Sequence, residues 1–258
     1  MRIGPVGHRF ILGHRCVFHR FQPDRKGSDL LREAVTAIRV ELSRRKLKLT
    51  RKKTKDPCPI CYLTRPLCIC DSIPTLDLNT RVCLIVHVNE LKRSSNTGRL
   101  ALRALVNSEM RVRGDTREAL DLRDLLTPRY RTFLFYPSVD AVELDNQLVA
   151  QTRTPIQLIV PDGSWRQARK VHSRHHELKD VPRVKISNPD SSKFQLRAQH
   201  RPEGMATLQA IAHGLGVIEG DSVKEQLMKL YDAKVERTLI GRGLLRGGGA
   251  GFGLEETR

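Results

Sequence analysis

Acidic residues are scarce in this chain: 46 Lys and Arg stand against 28 Asp and Glu, a formal charge of +18 over 258 residues. So lopsided a balance favours a polyanionic partner, because every phosphate met by a cation releases a condensed counterion. Long apolar runs are also missing. No stretch approaches the roughly eighteen apolar residues that identify a membrane helix. The segment Met1–Phe21 is broken by Arg2, His8, Arg9, His14, Arg15, His19 and Arg20, which excludes an ordinary secretory leader. Aromatic residues make up only 5% of the chain, and no lipidation signal or amphipathic anchor is visible. The expected polyanion is therefore nucleic acid, with no membrane partner, and the expected location is cytoplasmic.

Cysteine is sparse outside one place. Of six cysteines, four fall between Cys58 and Cys70. Cys58-Pro59-Ile60-Cys61 and Cys68-Ile69-Cys70 bring four soft thiolates into one proline-rich turn, which suits tetrahedral Zn2+ with no open position. Such a site holds shape and does not activate water. Two unconnected thiol pairs and an iron–sulfur cluster are the alternatives. Cys83, inside Val82-Cys83-Leu84-Ile85-Val86, reads as a small buried thiol.

The spacing of Leu31, Ala34, Val35, Ile38 and Leu42 predicts a helix behind Ser28. It runs into a basic arm, Arg44–Lys55, in which eight of twelve residues are Lys or Arg and none is acidic. The arm is either a solvated charge run or an RNA contact. Downstream, strands are predicted at Val82–Val88, Thr132–Tyr136, Ile156–Val160 and Val184–Ile186. Helices are predicted at Thr97–Asn107, Ser164–His176, Ala206–Leu215 and Ser222–Arg237. Continuous apolar strands alternating with helices imply an α/β fold, a parallel sheet covered by helices. The expected division is a basic extension over 1–55 and a main domain over 56–238, its knuckle at 56–72 and its α/β core at 80–238. A Gly-rich, disordered tail follows over 239–258. No interface signature points to an oligomeric state.

Ligands of open parallel sheets gather at the carboxyl ends of strands. Three polar segments stand at such ends: His87-Val88-Asn89-Glu90 continuing through Arg93 to Asn96, Tyr136-Pro137-Ser138, and Pro161-Asp162-Gly163-Ser164-Trp165. Asp162 is either a helix N-cap or a catalytic carboxylate, and Trp165 either core or pocket wall. His87 and Glu90 are either satisfied local partners or reacting groups. The segment Ser191–Arg201 alternates apolar and cationic residues, as an ordinary edge strand or an RNA-contacting loop would. Lys193, Arg197, Gln199 and Arg201 are its candidate contacts.

Taken together, the knuckle, His87-x-x-Glu90 with Ser95-Asn96-Thr97, Tyr136-Pro137, Asp162-Gly163-Ser164-Trp165, and Ser192-x-Phe194 with Leu196-Arg197-x-Gln199 resemble the DTW-domain family. These are tRNA-uridine aminocarboxypropyltransferases with a fold related to the SPOUT methyltransferases. The resemblance runs from about Cys58 to about Ala212. Ser164 replaces the family's Thr, and Gln209 in Thr207-Leu208-Gln209-Ala210 replaces its usual Glu. The resemblance implies S-adenosylmethionine as co-substrate, tRNA as partner, and Asp162, Ser164 and Trp165 as the catalytic group. It further implies Tyr136, Pro137, Pro161, Asp162 and Gly163 around S-adenosylmethionine, and His87, Glu90, Arg93 and Asn96 toward the base or the amino-acid arm. A methyltransferase of similar fold and a non-catalytic zinc-ribbon RNA-binding protein are the competing readings.

Overall fold

The computed structural model describes residues 56–117, 119–187 and 204–245. The basic arm, the helix predicted from Leu30, Lys193, Arg197, Gln199 and Arg201, and all but the start of the Gly-rich tail lie outside these residues.

Six strands form a sheet among the described residues: β1 (Arg81–His87), β2 (Ser108–Arg113), β3 (Arg131–Phe135), β4 (Val142–Glu143), β5 (Ile156–Asp162) and β6 (Arg183–Lys185). Every pairing is parallel, in the order β2-β1-β5-β3-β6-β4. β5 is inserted between β1 and β3, so its residues must suit burial on both faces. Ile156, Leu158, Ile159 and Val160 do so directly. Gln157 is satisfied by donating to the Leu125 carbonyl at 2.8 Å and accepting from Arg81 at 3.1 Å.

The helices are α1 (Gly98–Ala104), α2 (Asn146–Ala150), α3 (Trp165–Arg174), α4 (Thr207–Glu219) and α5 (Asp221–Gly241). Alternate strand residues point to opposite faces, and two apolar clusters result. Val82, Leu84, Val86, Leu158, Val160 and Phe133 pack under α1, α4 and α5. Cys83, Ile85, Leu134 and Ile159 pack under α3 and the turn containing Leu122 and Leu125. Three layers follow. Gly220, at φ 105°, makes the reversal between α4 and α5 in a backbone region that side chains resist. None of the helices described is long and apolar enough to cross a membrane.

The elements predicted from Val82 onward are present, with α4 running on to Glu219 and two further differences of extent. The helix expected through Asn107 ends at Ala104, and α5 continues to Gly241, with Leu244 and Leu245 packed on the core beyond it. Three further elements have no counterpart in the sequence pattern: β2, β4 and α2. β2 reads Ser-Glu-Met-Arg-Val-Arg because it is an edge strand, where charge guards an unpaired ladder. α2 is announced only by its cap, the Asp145 carboxylate accepting from Leu148 N at 2.8 Å.

α1 lies directly on β1. A Cβ added to Gly98 would sit 2.8 Å from Leu84 Cδ2 and 3.2 Å from Asp162 Oδ2. Gly98→Ala is expected to lift α1 and cost about 1–3 kcal/mol, the usual penalty of overpacking, measurable by denaturant unfolding.

Candidate active site and metal centre

Because β1, β5 and β3 are parallel neighbours, their carboxyl ends converge and the three polar segments meet at one edge of the sheet. Asp162 closes β5 opposite Val86 of β1 and is buried. Its carboxylate is held from both sides. Asn96 Nδ2 donates to Asp162 Oδ2 at 2.5 Å, and Thr207 Oγ1 donates to Asp162 Oδ1 at 2.5 Å. A third bond ties the same segments, with Leu208 N donating to Thr97 Oγ1 at 3.2 Å. Three motifs separated by up to 111 residues are thus tied together around one carboxylate. An ionised carboxylate offers about four acceptor positions, and these two bonds fix the direction of both oxygens.

Asp162 is not the helix cap. That place belongs to Ser164, whose hydroxyl accepts from Gln167 N at 3.4 Å while Gln167 Oε1 accepts from Ser164 N at 2.7 Å. The Ser164 hydroxyl serves the start of α3, and the bond the structure gives it does not run to Asp162. Trp165 turns to the other face of the sheet. It packs on the smaller apolar cluster, its ring centroid 6.3 Å from that of Tyr136, which in turn lies 5.3 Å from His172. Asp162 and Trp165 are therefore near in sequence and divided by the strand's alternation.

Tyr136 is buried at the end of β3, Pro137 is exposed beside it, and Pro161 and Gly163 are half-buried. His87 ends β1 on the Trp165 side, its Nδ1 accepting from Asn89 N at 3.2 Å. Burial, reinforced by Arg113 and Lys170, holds its pKa below the usual imidazole value, which favours the neutral ring. Glu90 is buried and pairs with Arg93 at 3.3 Å. Between β1 and α1, Asn96 N donates to the Arg93 carbonyl at 3.0 Å, completing a loop that aims the Asn96 amide at Asp162.

Sequence reasoning assigns no role to Thr207 or Thr97. They appear in the sequence only within the family motifs Ser95-Asn96-Thr97 and Thr207-Leu208-Gln209-Ala210, with nothing to mark them as partners of Asp162. Gln209, two residues after Thr207 on α4, is fully buried, and neither polar atom of its side chain has a hydrogen-bond partner among the described residues. A cavity of about 320 Å3 lined by Arg131, Leu148, Gln151 and Arg153 opens near the starts of β3 and β5, away from the Asp162 edge.

The knuckle forms a second centre. The Sγ atoms of Cys58, Cys61, Cys68 and Cys70 all lie within 4.8 Å of one another, with Cys58–Cys70 at 3.5 Å and Cys61–Cys68 at 3.7 Å. Tetrahedral Zn–S bonds of about 2.3 Å imply S···S separations near 3.8 Å, so the four residues fit such an ion. Tyr62, at φ 59°, makes the turn that returns Cys58 N to the Leu63 carbonyl at 2.8 Å. Burial works against ionising Cys58, but the Cys61 and Ile60 amides and the neighbouring thiols bring it down to about 6.

The knuckle is docked on α5. Lys234, buried at 1% exposure, donates from Nζ to the Cys61 carbonyl at 2.6 Å. Burial lowers the ammonium to about 8, while charge on Cys61 and Cys58 acts in the opposite sense. In the sequence Lys234 looks like one more surface cation. Its helical spacing with Leu227, Leu230 and Tyr231 is the available sign of an inward position. Lys234→Met keeps the volume and removes the donor and charge. It is expected to weaken metal binding by about 10–100-fold, read by competition with a chromophoric chelator.

A parallel three-layer α/β core, with its polar loops gathered at the carboxyl ends of the central strands and a four-thiol knuckle docked on one face, places the chain among α/β proteins carrying a four-cysteine cluster. Within that class, the DTW domain family model matches residues 55–239, and the chain belongs to that family. Similar proteins include tRNA-uridine aminocarboxypropyltransferase 2 of Macaca fascicularis, 23% identical over 70% of this chain and 63% of the relative. The Mus musculus protein of the same name is 23% identical over 72% of this chain and 65% of its own. The Drosophila melanogaster protein is 27% identical over 64% of this chain and 67% of its own. The match thus spans about two thirds of the relatives' length, between 63% and 67%. Among solved structures, the SAM-dependent rRNA:acp-transferase Tsr3 from Vulcanisaeta distributa aligns with a TM-score of 0.39 at 15% identity, covering 63% of this chain and 79% of that one.

Proposed function

We propose that the protein transfers the 3-amino-3-carboxypropyl group of S-adenosylmethionine to a uridine of tRNA. The observation that carries this reading is the buried Asp162 carboxylate, gripped by Asn96 and Thr207 at the crevice of the sheet, in a family whose similar members bear that activity in their names. The uracil N3 attacks the terminal carbon of the aminocarboxypropyl arm and forms the C–N bond. The C–S bond breaks, sulfur keeps the electron pair, and neutral methylthioadenosine leaves. The N3 proton passes to Asp162 or, through it, to water. Choice of the arm over the methyl group is positional, set by which carbon stands in line with N3.

Pro137, Pro161 and Gly163 are the proposed lining for the nucleoside, with Tyr136 and Trp165 as a packed wall behind it. Asn96 and Thr207 orient Asp162, and Ser164 supports it indirectly by starting α3. Glu90 and Arg93 order the loop that carries Asn96, and His87 stands at the base or backbone side. Lys193, Arg197, Gln199, Arg201 and the basic arm complete the RNA contacts in this proposal. Zn2+ is the proposed occupant of the four-cysteine site, a cytoplasmic location follows from the substrate, and the relation to SPOUT proteins belongs to the same reading. The test is to mix the protein with S-adenosylmethionine and unmodified tRNA and identify the nucleoside released. Methylthioadenosine is expected. S-adenosylhomocysteine would make the enzyme a methyltransferase, and neither product across several tRNAs would leave an RNA-binding protein.

A further inference from the structure

α3 carries Arg166, Arg169, Lys170 and Arg174 at helical spacing, and its sequence, Trp165–Arg174, contains no acidic residue. Residues three and four apart share a helix face, so these cations form one stripe. Ala168 and Val171 on the opposite side are buried in the protein. Arg166, Arg169 and Arg174 are exposed and Lys170 is half-exposed. The stripe is extended by Arg113, which closes β2 opposite His87 and whose Nε is buried without a hydrogen-bond partner among the described residues.

Several arginines elsewhere are neutralised by carboxylates. Arg81 and Arg111 pair with Glu109, Arg117 with Asp115, Arg123 with Asp121, and Arg183 with Asp140. None of the five cations around α3 has such a carboxylate among the described residues. Their mutual repulsion is visible in Lys170, whose ammonium Arg174 first, and then burial, Arg166, Arg113 and Arg169, press below its ordinary value. Like charges so placed destabilise the isolated protein and create a field that a polyanion neutralises.

The stripe also has the right place. α3 starts three residues after Asp162, and at 1.5 Å per residue the line from Arg166 to Arg174 leads about 12 Å away from the strand ends. A membrane surface is the poorer match. An interfacial helix must bury an apolar face in lipid, whereas the apolar face of α3 is spent on the core, and the exposed large hydrophobic residues, Val106, Met110, Val139 and Val142, are not on it.

We propose that Arg166, Arg169, Lys170 and Arg174, with Arg113, form a phosphate-contacting face that carries the RNA backbone flanking the base presented to Asp162. The choice of RNA as the polyanion rests on the function proposed above. The experiment compares the full chain carrying R166Q, K170Q and R174Q with a control carrying R103Q, R129Q and R153Q. The control positions are exposed cations outside α3: Arg103 in α1, Arg129 just ahead of β3 and Arg153 just ahead of β5. Anisotropy of a fluorescent, unmodified tRNA transcript is followed through a salt series. Each phosphate that is no longer neutralised lowers the slope of log K against log salt by about 0.7–0.9, so the α3 triple variant is expected to lose roughly two to three units of slope. The control is expected to lose less than about one unit. Equal slopes in the two variants, or an α3 variant matching the parent, would overturn the proposal. So would an α3 variant that loses binding to phosphatidylserine vesicles while keeping its RNA slope. Should the triple variant fail to fold, K170Q alone carries the test, with an expected loss of about 0.7–0.9. Turnover plays no part in these readings. Methylthioadenosine release with unchanged slopes would sink this face alone, and a reduced slope without methylthioadenosine would sink the transfer reaction alone.

Discussion

Asp162→Asn is expected to fold normally and to lose roughly two to four orders of magnitude in turnover, the usual contribution of a positioned proton acceptor. The hydrogen bonds make the separation possible. The new side-chain oxygen can accept from Asn96 Nδ2, and its amide can donate to Thr207 Oγ1, because a hydroxyl is both donor and acceptor. Shape and bonding survive, and only the charge and proton affinity are removed. Asp162→Ala, by contrast, strands the buried Asn96 donor and the half-buried Thr207 donor and is expected to cost an additional 1–3 kcal/mol or so of stability. Thermal melts and single-turnover release of methylthioadenosine, measured on both variants, test the pair. Full turnover in the Asn variant would reduce Asp162 to a latch between β5, the Asn96 loop and α4.

The second large effect concerns the knuckle. Cys58 and Cys61, together with Leu63 and Ile69, belong to the main apolar cluster rather than to a surface appendage. Removing the proposed Zn2+ would leave four thiols within 4.8 Å of one another without their common ligand, and the disturbance would pass into the core under α5. Cys58→Ser, or an excess of chelator, is expected to cost more than about 4 kcal/mol, a loss that few single changes reach. For a protein of this size that lowers the melting temperature by roughly 8–16 °C. Metal analysis should give one zinc per chain in the parent and none in the variant, with no visible absorption of an iron–sulfur kind. A parent that melts identically with and without chelator would remove the structural metal.

How much of this is legible in the sequence follows from what each residue's neighbours are. The buried strands β1, β3 and β5 announce themselves because burial on both faces demands unbroken apolar runs. β2 does not, since an edge strand is written in charged residues. The four cysteines are readable because their ligand spacing is local. The Asp162 cluster is only half readable: its parts stand at predicted strand and helix ends, but their meeting depends on pairings across as many as 111 residues. Adjacency groups Trp165 with Asp162, while the alternation of β5 and the start of α3 send the two to opposite faces. Lys234 passes for a surface residue because charge masks a position that its helical spacing marks as inward.

The contact between Lys234 and Cys61 also orders events in time. The two residues are 173 positions apart, so at a synthesis rate of about 5–20 residues per second the knuckle leaves the ribosome roughly 9–35 s before its docking partner. The thiols are a local set and can capture their ion early, as a free-standing hairpin. Seating that segment against the body of the protein must wait for α5, which carries Lys234.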